Sequence, residues 1–315
     1  MNYKFIVVKG HSGFADLINT LLKAITLSNF LTEKNIQNCI QIEWDGWVID
    51  DFFDIQKCNY QSIKLPHTQN TDKKTIVEST IDQKLFNNFF NRFDLWDIWV
   101  LKDHHSWSSF LHKQYKQLIN ITSACLTTNV YKNMFCTLYF KHVHLKPNIT
   151  LAVKQKLLEY DLDNYISIAT RLSDYSSSKY YKTIQDAITH NINLIEKHAS
   201  NHLNEKILLH SDNVRVVEAF LDYKRYFNIG AVGEYFIKNK IELPDTCSLH
   251  RIPDLSNKHK NNNFNIYLKS LYTIMDFYSM INSKKVYVSE HGHFSKEASK
   301  LNSYAIENNI NILHE

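Results

Sequence analysis

The sequence predicts an α/β protein made of two doubly wound domains. Short β-branched runs alternate with stretches of helical apolar spacing, and the pattern restarts at Pro147. The 315 residues also exceed what one core comfortably holds, since single cores stop growing at roughly 250–300 residues. The expected domains are residues 1–147 and 148–315.

Residues 3–8 (YKFIVV) form a β-branched run that ends at a glycine turn, so they read as a buried strand. Ile18, Leu21, Leu22 and Ile25 then recur at helical spacing, and residues 39–44 (CIQIEW) give a second strand. Strand, helix and strand make a βαβ unit, the building block of a parallel sheet. Residues 93–101 (FDLWDIWVL) add a further strand, whereas residues 57–82, rich in Gln, Asn, Thr and Lys, read as an extended or loop excursion.

After Pro147 a helix over 149–160 leads to a buried strand over 165–169 (YISIA). The expected order continues with a helix over 181–198, a strand over 206–210 (KILLH) and a helix over 214–226. A helix over 264–281, a strand over 285–289 (KVYVS) and a last helix from Ser295 complete it. Ligands of such a unit belong at the carboxyl ends of its strands.

Composition excludes several classes of function. The net charge is only +4, from 36 basic and 32 acidic residues without a basic stripe, so no nucleic-acid surface is expected. No run approaches the ~18 apolar residues of a membrane span, and residues 1–8 are too short for a signal peptide. Cys39, Cys58, Cys125, Cys136 and Cys247 are odd in number and widely spaced, which fits reduced thiols in a cytoplasmic protein. His104 and His105, His142 and His144, and His291 and His293 are close pairs, but among 16 histidines and without an HExxH pattern they define no metal site. There is no GxSxG elbow either. The aromatic group Trp44, Trp47, Phe52, Phe53, Trp96, Trp99 and Trp107 fits a core or a surface that stacks on sugar rings.

Four segments carry candidate chemistry. Gly10 and Gly13 fall in the turn KGHSGFAD between the first strand and helix, where glycine permits close approach of a ligand or simply a tight turn. Arg171 and Asp174 (IATRLSDY) follow a buried strand; a guanidinium there suits phosphate, with Asp174 orienting it, and a plain ion pair would give the same pattern. Ser211, Asp212 and Asn213 end the next strand, where Ser211 or Asp212 can cap the following helix or touch a ligand. Gly292 and Ser295 stand at the start of the last helix, a place for phosphate.

In order, these segments resemble the fucosyltransferase superfamily, which includes the bacterial nodulation fucosyltransferase, the α1,6- and α1,2-fucosyltransferases and the protein O-fucosyltransferases. The glycine turn over residues 10–16, the strand over 40–44 and the stretch DDFFD over 50–54 are similar to its N-terminal half. Its HxRxxD motif is similar to residues 169–174, its TDN or TDS triplet to Ser211, Asp212 and Asn213, its acidic residue before serine to Asp276 and Ser279, and its SSFS element to Phe294 and Ser295. Two positions depart from the pattern: Ala169 stands where the motif has histidine, and Leu172 where a second arginine is frequent.

The resemblance implies a GT-B glycosyltransferase, two Rossmann-like domains facing across a cleft, with the acceptor on residues 1–147 and the nucleotide sugar on 148–315. It implies an inverting enzyme that needs no metal or other cofactor and transfers fucose from GDP-fucose to a glycan. Arg171 is then the catalytic residue at the β-phosphate, Asp276 contacts guanine and Ser295 meets phosphate. Gly10, Gly13, Asp174, Ser211, Asp212 and Asn213 complete the expected donor site. The catalytic base is open among Asp16, Glu43, Asp45 and Asp51, each of which also fits a cap or a solvated charge. The motif histidine helps to hold the nucleotide, so Ala169 leaves two alternatives: a glycan- or nucleotide-binding pseudoenzyme of the same fold, or a transferase for another sugar.

Overall fold

The computed structural model describes residues 4–10, 13–33, 38–44, 49–55, 98–102, 128–171, 182–221, 227–240, 266–289 and 292–313. The chain forms two compact units, Met1–Ser12 with Asp16–Leu145 and Gly13–Ala15 with Lys146–Glu315.

In the first unit, strands β1 (Lys4–Gly10), β2 (Asn38–Trp44) and β4 (Ile98–Lys102) form a parallel sheet in the order β2-β1-β4. Helix α1 (Phe14–Glu33) makes the β1–β2 crossover. Its apolar stripe, Leu17, Ile18, Leu21, Leu22 and Ile25, is wholly buried, as the spacing requires. A short helix α2 (Ile49–Phe52) runs into β3 (Phe53–Ile55), which pairs antiparallel with β5 (Val143–Leu145) at the end of helix α3 (Thr128–His142). Phe52 and Phe53 are buried, so those two aromatics are core. The tryptophan side chains are not among those described.

The second unit holds a four-stranded sheet. Strands β6 (Tyr165–Thr170), β7 (Lys206–Ser211), β8 (Phe227–Ile229) and β9 (Lys285–Val288) are parallel, in the order β8-β7-β6-β9. All six residues of β6 are buried, as expected of an inner parallel strand covered on both faces. Ile166 and Ile168 pack with Ile207 and Leu209 against Ala187, Ile188 and Ile195 of helix α5 (Ile184–Ala199) and Val216 of helix α6 (Val214–Leu221). Burying each such aliphatic side chain stabilises the fold by about 1.5–3 kcal/mol. The opposite face carries Tyr165, whose hydroxyl donates to the Ser279 carbonyl at 2.6 Å on helix α8 (Ile266–Asn282).

Local signals set the helix boundaries. Helix α4 (Pro147–Glu159) begins with proline, whose fixed φ and missing N–H suit a first turn. Helix α5 begins with a capping box, in which Thr183 and Asp186 each bind the other's backbone N–H. Helix α7 (Ala231–Lys238) and strand β8 were not legible in the sequence. Three strand residues are too few to show a period. Helix α9 (His293–Glu307) starts two residues before the expected Ser295, and Asn302 on it donates to the carbonyls of Ile281 and Ser283 at 2.9 and 2.6 Å.

Cys39 and Cys136 are buried and outside any disulfide, in line with the sequence, and the other three cysteines lie outside the described residues. Among the described residues no helix is long and apolar enough to cross a membrane, and no group of three or more His, Cys, Asp or Glu is arranged to hold a metal.

Candidate functional site

The carboxyl ends of β6 and β7 converge with the amino end of α9. Arg171 is the first residue after β6, and its side chain is 27% exposed. Its Nε lies 3.9 Å from Oδ2 of Asp212, a carboxylate only 5% exposed at the end of β7. Asn191, buried on α5, donates to the Arg171 carbonyl at 3.3 Å and to the Ala187 carbonyl at 2.8 Å, so the arginine's backbone is pinned to the helix beneath it.

Gly292 forms the N-cap of α9 against that arginine. A Cβ added at Gly292 would stand 3.0 Å from Oγ of Ser295 and 3.4 Å from Cδ of Arg171, so the arginine stem and the serine flank the glycine. Ser295 occupies the third position of α9, in the turn where backbone N–H groups and the helix dipole favour an anion. One guanidinium, one hydroxyl and one helix amino end thus meet at the edge of a parallel sheet.

The turn after β7 is shaped by its own side chains. Oγ of Ser211 accepts from the Asn213 N–H at 3.3 Å, and Oδ1 of Asn213 accepts from the Arg215 N–H at 2.9 Å. Asn213 is therefore the cap of α6, a role the sequence had offered to Ser211 or Asp212. Asn213→Ala should remove about 0.5–2 kcal/mol of stability, measured by denaturant unfolding. Asp212 is left to face Arg171.

Asp276, on α8, is 2% exposed. Its Oδ1 accepts from the Ala231 N–H at 2.5 Å and its Oδ2 from the Val232 N–H at 3.3 Å, so the carboxylate caps the amino end of α7. Gly230, the N-cap of that helix, fits because a Cβ there would lie 2.6 Å from Nδ1 of His210 and 2.7 Å from Oδ1 of Asp276. Helix α7 is also tied to α4. Burial would raise the Glu234 carboxyl, yet hydrogen bonds from Lys156, with Nζ at 2.5 Å, and from Tyr160 hold it below the usual carboxylate value.

The second unit therefore brings together Arg171, Asp212 and Ser295, with Ser211 and Asn213 shaping the turn beside them. Asp276 is anchored at α7. Gly10 closes β1 in the first unit, Gly13 precedes α1, and Asp174 lies outside the described residues. Asp16 sits in the first turn of α1 and Asp51 is exposed on α2. Sequence reasoning missed Asn191, Gly230 and His210. Only the scarcity of glycine, six in the chain, could have drawn attention to Gly230.

This fold is of the fucosyltransferase type. Among solved structures the chain is similar to NodZ alpha-1,6-fucosyltransferase co-crystallized with GDP, at TM-score 0.54 and 12% identity over 95% of this chain and 92% of that one. The same enzyme soaked with GDP-fucose gives 0.53 and 13% over the same shares. A mutant of Arabidopsis thaliana FUT1 in complex with GDP gives 0.51 and 12%, over 95% of this chain and 69% of that one. No protein-family model and no curated protein matches the sequence.

Proposed function

We propose that the chain is an inverting glycosyltransferase that transfers fucose from GDP-fucose to a glycan acceptor without a metal ion. The observation that carries this reading is the convergence of Arg171, Asp212 and Ser295 around Gly292. It is supported by a fold shared with structures in complex with GDP or soaked with GDP-fucose.

The acceptor hydroxyl attacks the anomeric carbon from the face opposite the nucleotide. The bond from that carbon to the β-phosphate oxygen breaks, GDP leaves with the electron pair, and the hydroxyl proton passes to a base. Negative charge grows on the leaving diphosphate. Arg171 lies where it can stabilise that charge by charge-assisted hydrogen bonds, with Ser295 and the first turn of α9 as further donors. Asp212 keeps the guanidinium oriented, and the domain of residues 148–315 is the donor half of the molecule.

Ala169 favours a second reading, in which the fold retains nucleotide binding without fucosyl transfer. Calorimetry against GDP, UDP, ADP and CDP, followed by GDP-fucose hydrolysis and transfer assays in EDTA, separates the two. The proposed function requires selectivity for GDP and turnover in EDTA. Binding without turnover supports the second reading, and no preference for GDP would overturn the donor assignment.

A further inference from the structure

Across the sheet of the second unit, one row of residues lies just before the carboxyl edge. Ala169 on β6 is in register with His210 on β7 and with Val288 on β9. Gly230 follows Ile229, the register partner of Leu209, and donates its N–H to the Leu209 carbonyl at 2.7 Å. The row therefore reads Gly230, His210, Ala169, Val288. Side chains in one row of a parallel sheet share a face, with neighbouring strands about 4.8 Å apart. His210 is thus flanked in register by glycine and alanine, and the imidazole takes the room left at Gly230, where a Cβ would lie 2.6 Å from its Nδ1.

That imidazole is 1% exposed, and neither ring nitrogen has a hydrogen-bond partner among the described residues. Its nearest charged neighbour is Asp276, with Nδ1 3.5 Å from Oδ1. Leaving a buried polar group without a partner costs about 1–3 kcal/mol, so packing alone would favour an apolar residue at this position. The location suggests what offsets the cost. His210 directly precedes the Ser211-Asp212-Asn213 turn, its carbonyl accepts from Thr170 Oγ1 at 3.4 Å, and Thr170 directly precedes Arg171. The His210 main chain is therefore joined to both segments that carry the Arg171–Asp212 pair.

We propose that His210 is a positioning residue for the diphosphate site: β7 supplies, one strand over and in the same row, the imidazole that an HxRxxD pattern carries at position 169 on β6. Held beside Asp276, which is itself fixed by the amino end of α7, the ring sets the end of β7 and so the place of Asp212 against Arg171. This inference rests on the nucleotide-diphosphate reading above.

The test is GDP affinity by calorimetry for the wild type, His210→Ala and two double variants, with thermal midpoints recorded for each. His210→Ala should weaken GDP binding by about tenfold or more. Ala169→His with His210→Ala, which moves the imidazole to the neighbouring strand, should recover most of that loss. Ala169→Leu with His210→Ala, which refills the volume without an imidazole, should recover stability and not affinity. Equal binding by His210→Ala, or equal recovery by the leucine double, would overturn the inference. If His210→Ala does not fold, His210→Gln replaces it as the single variant and as the background of both doubles. A wild-type protein that ignores GDP overturns the function along with the inference, whereas GDP binding indifferent to position 210 overturns the inference alone.

Discussion

Arg171→Ala is expected to weaken GDP binding by at least about tenfold and to slow sugar transfer by on the order of 100-fold or more. The rate effect should exceed the binding effect because charge develops on the diphosphate as the glycosidic bond breaks, so the guanidinium contributes more in the transition state than in the ground state. The fold should survive, since the side chain is partly exposed and the Arg171 backbone is held independently by Asn191. Asp212 would lose its 3.9 Å contact with the guanidinium. Arg171→Lys keeps the charge and loses the planar fork, so it should fall between the two. Isothermal titration with GDP and a radiolabelled transfer assay give both quantities. Unchanged GDP affinity in a folded Arg171→Ala protein would remove the phosphate assignment.

Asp276→Ala should act on stability, lowering it by about 3 kcal/mol because it leaves the first N–H groups of a buried helix end without their acceptor. For a unit of this size that corresponds to a fall of roughly 6–12 °C in thermal midpoint, read by circular dichroism or calorimetry. Both carboxylate oxygens accept from α7, so the Ala231 and Val232 N–H groups lose their acceptor together. Asp276→Asn retains one acceptor oxygen and should lose about half as much. A midpoint unchanged in Asp276→Ala, together with loss of discrimination between GDP and IDP, would return this residue to the guanine contact that the resemblance implies. Stability lost with base preference intact would leave it a helix cap.

The residues differ in how visible these roles were beforehand. Arg171 and Ser295 could be selected from the sequence because each is a phosphate-binding residue type just after a strand or just inside a helix, and such places are fixed by local pattern. Asp276 could be selected only through a resemblance, and the structure places its carboxylate on a neighbouring helix whose existence the sequence did not signal. Asn213 was one residue away from the expected cap, an error within the ordinary reach of boundary reading. His210 could not be selected at all, because it reads as one more apolar-strand neighbour in KILLHS until the strands are aligned.

What the sequence determined by itself was the order of strands β1, β2, β4, β6, β7 and β9 and of the longer helices between them, the buried character of β6, and the glycines and polar residues at strand ends. Those follow from periodicity and from backbone preferences that act within a few residues. Only the tertiary structure decided which strands neighbour one another and in what register. Register is a relation between segments 40 residues apart, set by the packing of two sheet faces at once and carried by no local pattern. That relation brings Asp212 to Arg171, and it places an imidazole beside the alanine that had marked the sequence as incomplete.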